Sequence, residues 1–151
     1  MKKLLSLVLS FLLLASLCPA LADTPPADQI ATSGESYVEW YSRTREAADL
    51  ISYIKSGLEG ATGSVFVLAK TETYYEVDTV GVVYLVQRWE NNEWTDYYSL
   101  SCSVYDTYAF SDRRIIDVES GYYYRLYTVH KALDGSLFDY QAVITKSVYV
   151  N

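Results

Sequence analysis

His130 is the only histidine in the 151-residue chain, so any chemistry that needs an imidazole has to be built there. Activating a serine or cysteine takes that base beside the nucleophile and an acid to orient it. Ser99, Ser101, Cys102 and Asp106 carry suitable groups but fall on other predicted strands, and no Gly-x-Ser-x-Gly elbow occurs. His130 lies near the end of a strand, in phase with Tyr124 and Leu126, which predicts a packed or turn-bonded side chain rather than a catalytic one. Carboxylates could act in pairs on a glycoside at separations of roughly 5 to 10 Å. With 19 Asp and Glu such a pair arises by chance, and Glu90, Glu93, Asp96, Asp112, Asp117 and Asp134 sit in turns or on strand faces, where solvation accounts for them. One histidine excludes a multi-histidine metal site. Neither an Asp-x-Asp-x-Asp-Gly loop nor a glycine-rich phosphate loop occurs, so the chain reads as taking no metal and no cofactor, with only a weak calcium contact among the acidic turns as the alternative.

Aromatic side chains are the unusual resource, with 16 tyrosines and 3 tryptophans. Tyr74-Tyr75, Tyr97-Tyr98 and Tyr122-Tyr123-Tyr124 cannot all point inward, because neighbouring strand residues face opposite ways. With Val80, Val82, Tyr84 and Val86 inward, Leu85, Gln87 and Trp89 face outward, and Trp94, Asp96 and Tyr98 share that outer face. Trp89, Trp94 and Tyr98 are therefore the candidate binding residues, able to stack on sugar rings or anchor a protein partner. The competing reading is that these rings form cross-strand pairs that stabilise the sheet.

The elements that must hold these residues begin after an address. Residues 1–22 read as a secretory signal, with Lys2 and Lys3, an apolar run over 4–17, and Ala20-Leu21-Ala22 directing cleavage after Ala22. The run is shorter than the roughly 20 residues a membrane helix needs. Cys18 suggests a lipoprotein site, but Leu17 before it is too large and Pro19 follows. Loss of the signal leaves 129 residues and removes Lys2 and Lys3, so the formal charge moves from −7 to −9. An acidic chain without a basic cluster excludes nucleic acid and anionic membrane as partners. Cys102 becomes the only cysteine, expected to pack as a small hydrophobe, with an intermolecular disulfide or reactive thiol as the alternative. With no membrane segment after the domain, the mature protein is expected to be released outside the cell.

Residues 23–48 read as a flexible leader or a short helix. Thr24-Pro25-Pro26 opens the leader, and Tyr37, Trp40, Tyr41 and Ala48 fit one helical face. Residues 49–151 carry the folded domain. They divide into short β-like runs at 51–58, 64–70, 79–89, 93–101, 104–110, 113–118, 122–132 and 137–150. Seven or eight strands without long helical patterns predict an all-β, antiparallel, immunoglobulin-like or fibronectin type III-like sandwich. Two local features sharpen this. The segment from Val118 to Leu126 resembles a tyrosine corner, in which Gly121 serves the turn and Tyr124 crosses the corner to bond the backbone upstream with its ring inside. Taking Asn91-Asn92 as a two-residue turn sets Glu90 opposite Glu93 and Trp89 opposite Trp94.

The run Val77-Asp78-Thr79-Val80-Gly81-Val82-Val83-Tyr84-Leu85-Val86-Gln87-Arg88-Trp89-Glu90-Asn91, followed by Trp94, Gly121-Tyr122-Tyr123-Tyr124-Arg125-Leu126 and His130, resembles a family of small secreted proteins of Gram-positive gut anaerobes. Ala48-Asp49-Leu50-Ile51-Ser52-Tyr53 looks like that family's lead-in to its first strand, so the resemblance spans roughly residues 48–150. It implies an immunoglobulin-like or fibronectin-like sandwich of unknown function. The family carries no known catalytic residues, so none transfers. Its hairpin turn is Asn-Gly where this chain has Asn91-Asn92. The resulting expectation is a secreted, non-enzymatic interaction domain whose partner is an extracellular protein or glycan. A carbohydrate-binding module is the first alternative, and a small hydrolase using acidic residues or His130 is the second.

Overall fold

The computed structural model describes residues 24–42 and 49–151; the expected signal segment with its expected cleavage site, and residues 43–48, lie outside the described residues. The strands are β1 (Glu35–Tyr41), β2 (Ile51–Ala61), β3 (Ser64–Glu90), β4 (Glu93–Asp117), β5 (Tyr122–Asp134), β6 (Leu137–Ile144) and β7 (Val148–Val150). They form one antiparallel seven-stranded sheet in the order β1-β2-β3-β5-β6, with β4 on the other side of β3 and β7 on β5. The expected all-β antiparallel sandwich is present, reached by curling one sheet over on itself.

β3 and β4 make the curl. Laid flat, the 27 residues of β3 would reach roughly 90 Å at about 3.3 Å per residue. β3 instead pairs with β2 along residues 64–73 and with β5 along 79–88, while β4 runs opposite both halves. The β3–β4 ribbon thus belongs to two layers. A lower layer holds β1, β2, the first half of β3 and the second half of β4. An upper layer holds β6, β7, β5, the second half of β3 and the first half of β4. β2 packs against β5, β6 and β7 without pairing with them, which places the core between the layers.

The chain changes layer where the ladder jumps from Glu72 to Val77. Thr73 Oγ1 donates there to the Tyr75 and Tyr108 carbonyls at 2.6 and 3.1 Å, and Asp106 takes a left-handed φ of 50°. The sequence splits this ribbon into five short strands, but the segment Thr71 to Glu76 is Thr- and Tyr-rich and lacks Gly and Pro. Such residues favour a strand, so the bend is made by a bulge rather than a loop. The last predicted strand, 137–150, divides instead into β6 and β7.

The leader reading needs correction as well. Residues 35–41 form β1, not a helix, with Tyr37, Glu39 and Tyr41 outward and Val38 and Trp40 turned toward the interior. The spacing of Tyr37, Trp40 and Tyr41 fits a helical face, but Val38 and Trp40 also alternate with Tyr37, Glu39 and Tyr41, and the open edge of β2 decides by supplying backbone partners. Ahead of β1, residues 27–29 make a 3-10 turn and the chain then lies beside Ser147. Ala31 N–H donates to the Ser147 carbonyl at 2.8 Å, and Ser147 N–H to the Gln29 carbonyl at 2.7 Å.

Both predicted local motifs are present. Tyr124 is fully buried and its Oη donates to the Glu119 carbonyl at 2.8 Å, while burial pushes the phenol up to about 12. Gly121 holds the turn at φ 92° and donates its N–H to the Val150 carbonyl. Asn91 and Asn92 both have positive φ, at 53° and 61°, as a two-residue hairpin turn requires. Trp89 stands opposite Trp94 with ring centroids 5.1 Å apart and planes at 61°.

Candidate functional site

His130 is sealed between the layers. Its Nε2 lies 2.8 Å from Ser56 Oγ and 3.3 Å from Thr128 Oγ1, and its Nδ1 lies 2.8 Å from Thr71 Oγ1; Ser56 and Thr128 are 2.6 Å apart. β2 and the first half of β3 supply Ser56 and Thr71, and β5 supplies Thr128 and His130, so the network ties one layer to the other. A hydroxyl this close to an imidazole is geometrically half of a nucleophile–base pair. Here a threonine rather than a carboxylate sits on Nδ1, and all four side chains are fully buried. Desolvation lowers the imidazole to about 4, so it stays neutral at ordinary pH and acts as a hydrogen-bond hub. The signal in the sequence was phase. Thr128 and His130 continue the inward series of Tyr124 and Leu126, and Thr71 continues Val67 and Ala69.

The predicted trio of Trp89, Trp94 and Tyr98 does not form one platform. Trp89 is only 8% exposed, beneath its contact with Trp94. Trp94 donates its indole N–H to Gln29 Oε1 at 2.8 Å and carries the Arg125 guanidinium 4.4 Å above its ring. Tyr98 sits on the opposite side of the sheet. The register passes from Val86↔Tyr98 to Gln87↔Asp96, so Tyr97 is an extra residue in β4. A one-residue bulge reverses strand phase. It puts Tyr98 in line with inward-facing Val86, and Tyr97 edge-on to Tyr124 at 5.5 Å. The Cys102 thiol is part-buried in line with Val82 and lies 3.3 Å from Arg114 Nη2. Among the described residues no group of His, Cys, Asp and Glu is placed to hold a metal ion, and no helix is long and apolar enough to cross a membrane.

A different surface emerges from the register. Beyond the bulge, the outer face of the upper layer consists of four cross-strand rows: Tyr105-Thr79-Leu133-Phe138, Ser103-Gly81-Lys131-Tyr140, Ser101-Val83-Val129-Ala142 and Ser99-Leu85-Tyr127-Ile144. The face is graded. Its β4 side is small and flat along Ser99, Ser101 and Ser103, where a Cβ at Gly81 would run into the backbone of Cys102 and Ser103, and it rises only at Tyr105. Its β5–β6 side is apolar and raised. Phe138 and Tyr140 are 61% and 59% exposed, with rings 6.0 Å apart and 27° from parallel. Leu133 is exposed beside Phe138, Ile144 is exposed further along β6, and Tyr105 is exposed across Thr79 and Leu133 on β4. Phe138, Tyr140 and Leu133 adjoin one another, and clustered exposed rings and aliphatic groups of this kind mark interaction surfaces. Lys131 is the one charged residue in the rows, and its Nζ donates to Ser101 Oγ at 3.2 Å. The turn at Asp134-Gly135 already implied that Leu133 faces Phe138. Counting outward from it along β5 and β6 would have located this face.

The outer face of the lower layer is built otherwise. Lys55 Nζ bonds Glu39 at 2.8 Å and lies 5.3 Å from the Tyr37 ring centre; Lys70 Nζ bonds Glu72 at 2.5 Å and lies 5.5 Å from that of Tyr53. The Tyr53 ring stacks at 4.6 Å on Tyr41, and burial followed by the charge of Glu39 pushes its phenol up to about 12. Tyr37 covers Gly57, where a Cβ would come within 2.5 Å of the ring. In comparisons with known proteins, no protein-family model matches the chain, and no curated protein matches it either.

Proposed function

We propose that the protein is a secreted, non-enzymatic interaction module that binds through the outer face of its upper layer. The observation that carries this reading is the exposed line of Phe138, Tyr140 and Ile144 on β6, flanked by Leu133 on β5, on an otherwise acidic chain. Aromatic and aliphatic side chains clustered on a flat surface are what a protein partner desolvates at a hot spot. What supports a non-enzymatic role is the sealed position of His130 and the threonine in place of an orienting acid. Secretion rests on the signal-like residues 1–22. Kinship with the secreted Gram-positive family, and with fibronectin-like sandwiches, is supported by the Tyr124 corner. The strand order differs from the pattern in which each strand belongs to one sheet, since β3 and β4 each serve both layers.

The test is capture from the native extracellular medium with immobilised protein. The wild type is expected to retain a partner that Phe138→Ser/Tyr140→Ser loses by at least about tenfold. Equal retention by a folded double variant overturns the reading. A carbohydrate ligand is the second reading, supported by the near-parallel Phe138 and Tyr140 rings, which offer a stacking surface for a sugar. Glycan-array binding that Tyr140→Ser abolishes would establish it in place of a protein partner. Trp94→Ala is expected to leave glycan binding intact, because Arg125 already occupies that ring.

A further inference from the structure

A β-strand at the edge of a sheet exposes unpaired N–H and C=O groups, and proteins usually blunt such edges with charges, bulges or a covering segment. Three of this protein's edges are treated that way. β1 carries Glu35 and Glu39. β4 is interrupted by the bulge at Tyr97 and the left-handed Asp106, and carries Asp96, Asp112, Arg113 and Arg114. Beside β7, residues 29–31 run along Ser147. β6 lacks a bulge, a covering segment and an edge-facing charge, and its only device of this kind is one inward-pointing carboxylate. It pairs with β5 from Leu137 to Ile144 without a register shift and contains no proline, lysine or arginine. Its one charge, Asp139, is turned away from the edge, and its Oδ2 accepts the Leu50 and Ile51 N–H groups at 3.0 and 2.9 Å.

The hairpin fixes which backbone groups are free. Asp134 and Leu137 close the two-residue turn, so residues 137, 139, 141 and 143 hydrogen-bond to β5. Phe138, Tyr140, Ala142 and Ile144 therefore aim their N–H and C=O groups outward, and among the described residues no strand pairs with them. We infer that β6 pairs antiparallel with β6 of a second copy, giving a two-fold dimer with a sheet continuous across the junction. Antiparallel pairing of a strand with itself is closed by symmetry, so both copies use the same groups. The register that uses all of residues 138–144 centres on Gln141. It sets Phe138 of one copy against Ile144 of the other, and Tyr140 against Ala142, with about eight backbone hydrogen bonds. Asp139 meets Val143 rather than another carboxylate. For a chain of formal charge −7, and −9 without its signal, this is a line of contact along which no like charges meet.

The experiment is light scattering and sedimentation on the secreted protein at concentrations up to on the order of 100 μM, where a weak specific dimer is populated. The wild type is expected to be dimeric at the upper end. Ala142→Pro removes only an outward N–H and is expected to be monomeric with an unchanged thermal midpoint. Gln141→Lys and Gln141→Glu place like charges on the two-fold axis, and each is expected to weaken the dimer at least about tenfold. Mixing those two variants is expected to restore a dimer, which a folding defect could not do. A wild type that stays monomeric throughout, or a dimer that survives Ala142→Pro and is indifferent to the Gln141 charge pair, overturns the inference.

Discussion

The two outer faces of the sandwich use similar residues to opposite ends. On the lower face each lysine holds a glutamate and lies over a tyrosine, and Tyr41 and Tyr53 cover each other. Its two lysines find their partners within the chain, while Tyr41 and Ile115 remain 61% and 63% exposed. On the upper face Phe138 and Tyr140 touch mainly each other, and the β4 side opposite them is kept low by serines and Gly81. A face whose groups are paired internally gains little by binding. A face with exposed rings and almost no charge gains from being covered. Tyrosine content alone therefore does not mark a binding surface. What distinguishes the two faces is whether the neighbouring strand supplies a partner.

Substitutions in either face, or in the network beneath them, carry distinct expected costs. The largest effect belongs to the network beneath both faces. His130 in the unfolded chain titrates near 6.5, and in the folded protein burial lowers it to about 4. Above pH 6.5 both states are neutral and the shift contributes nothing. As pH falls from 6.5 toward 4 the unfolded chain takes up a proton that the folded protein refuses, so stability drops across this window by about 3 kcal/mol. Urea unfolding at several pH values should show that slope, and His130→Gln should remove it. If the slope survives in the variant, the imidazole is not its source. An intermediate effect is expected on the lower face. Tyr53→Ala removes both the Tyr41 contact and the seat of Lys70, and should lower stability by about 1–2 kcal/mol without altering partner capture. The smallest effect is expected on the upper face, where Phe138→Ser/Tyr140→Ser should change stability by less than about 0.5 kcal/mol. A large loss there would mean these rings serve the sheet as Tyr53 does, and the distinction between the faces would fail.

Local features were readable from the chain because they depend on neighbours in sequence. The Asn91-Asn92 turn set Trp89 against Trp94, and the Gly121 turn with Tyr124 built the corner. The expected trio was split for want of a single residue. Counting by twos from Trp94 to Tyr98 assumes an unbroken strand, and the bulge at Tyr97 moved Tyr98 to the other side. Residues 35–41 fitted a helical face and a strand equally well, and only the edge of β2 distinguished them.

By itself the sequence determined strand composition, the tight turns and the inward phase of Val80, Val82, Tyr84 and Val86, since backbone preference and side-chain alternation are local properties. Tertiary structure decided that β3 and β4 pass through both layers and that His130 joins Ser56, Thr71 and Thr128. It also decided that Phe138 and Tyr140, rather than Trp89 and Trp94, remain uncovered. These outcomes depend on which distant strand arrives alongside, and pairing between residues far apart in sequence is fixed by the cooperative burial of the whole core rather than by any segment's own preference.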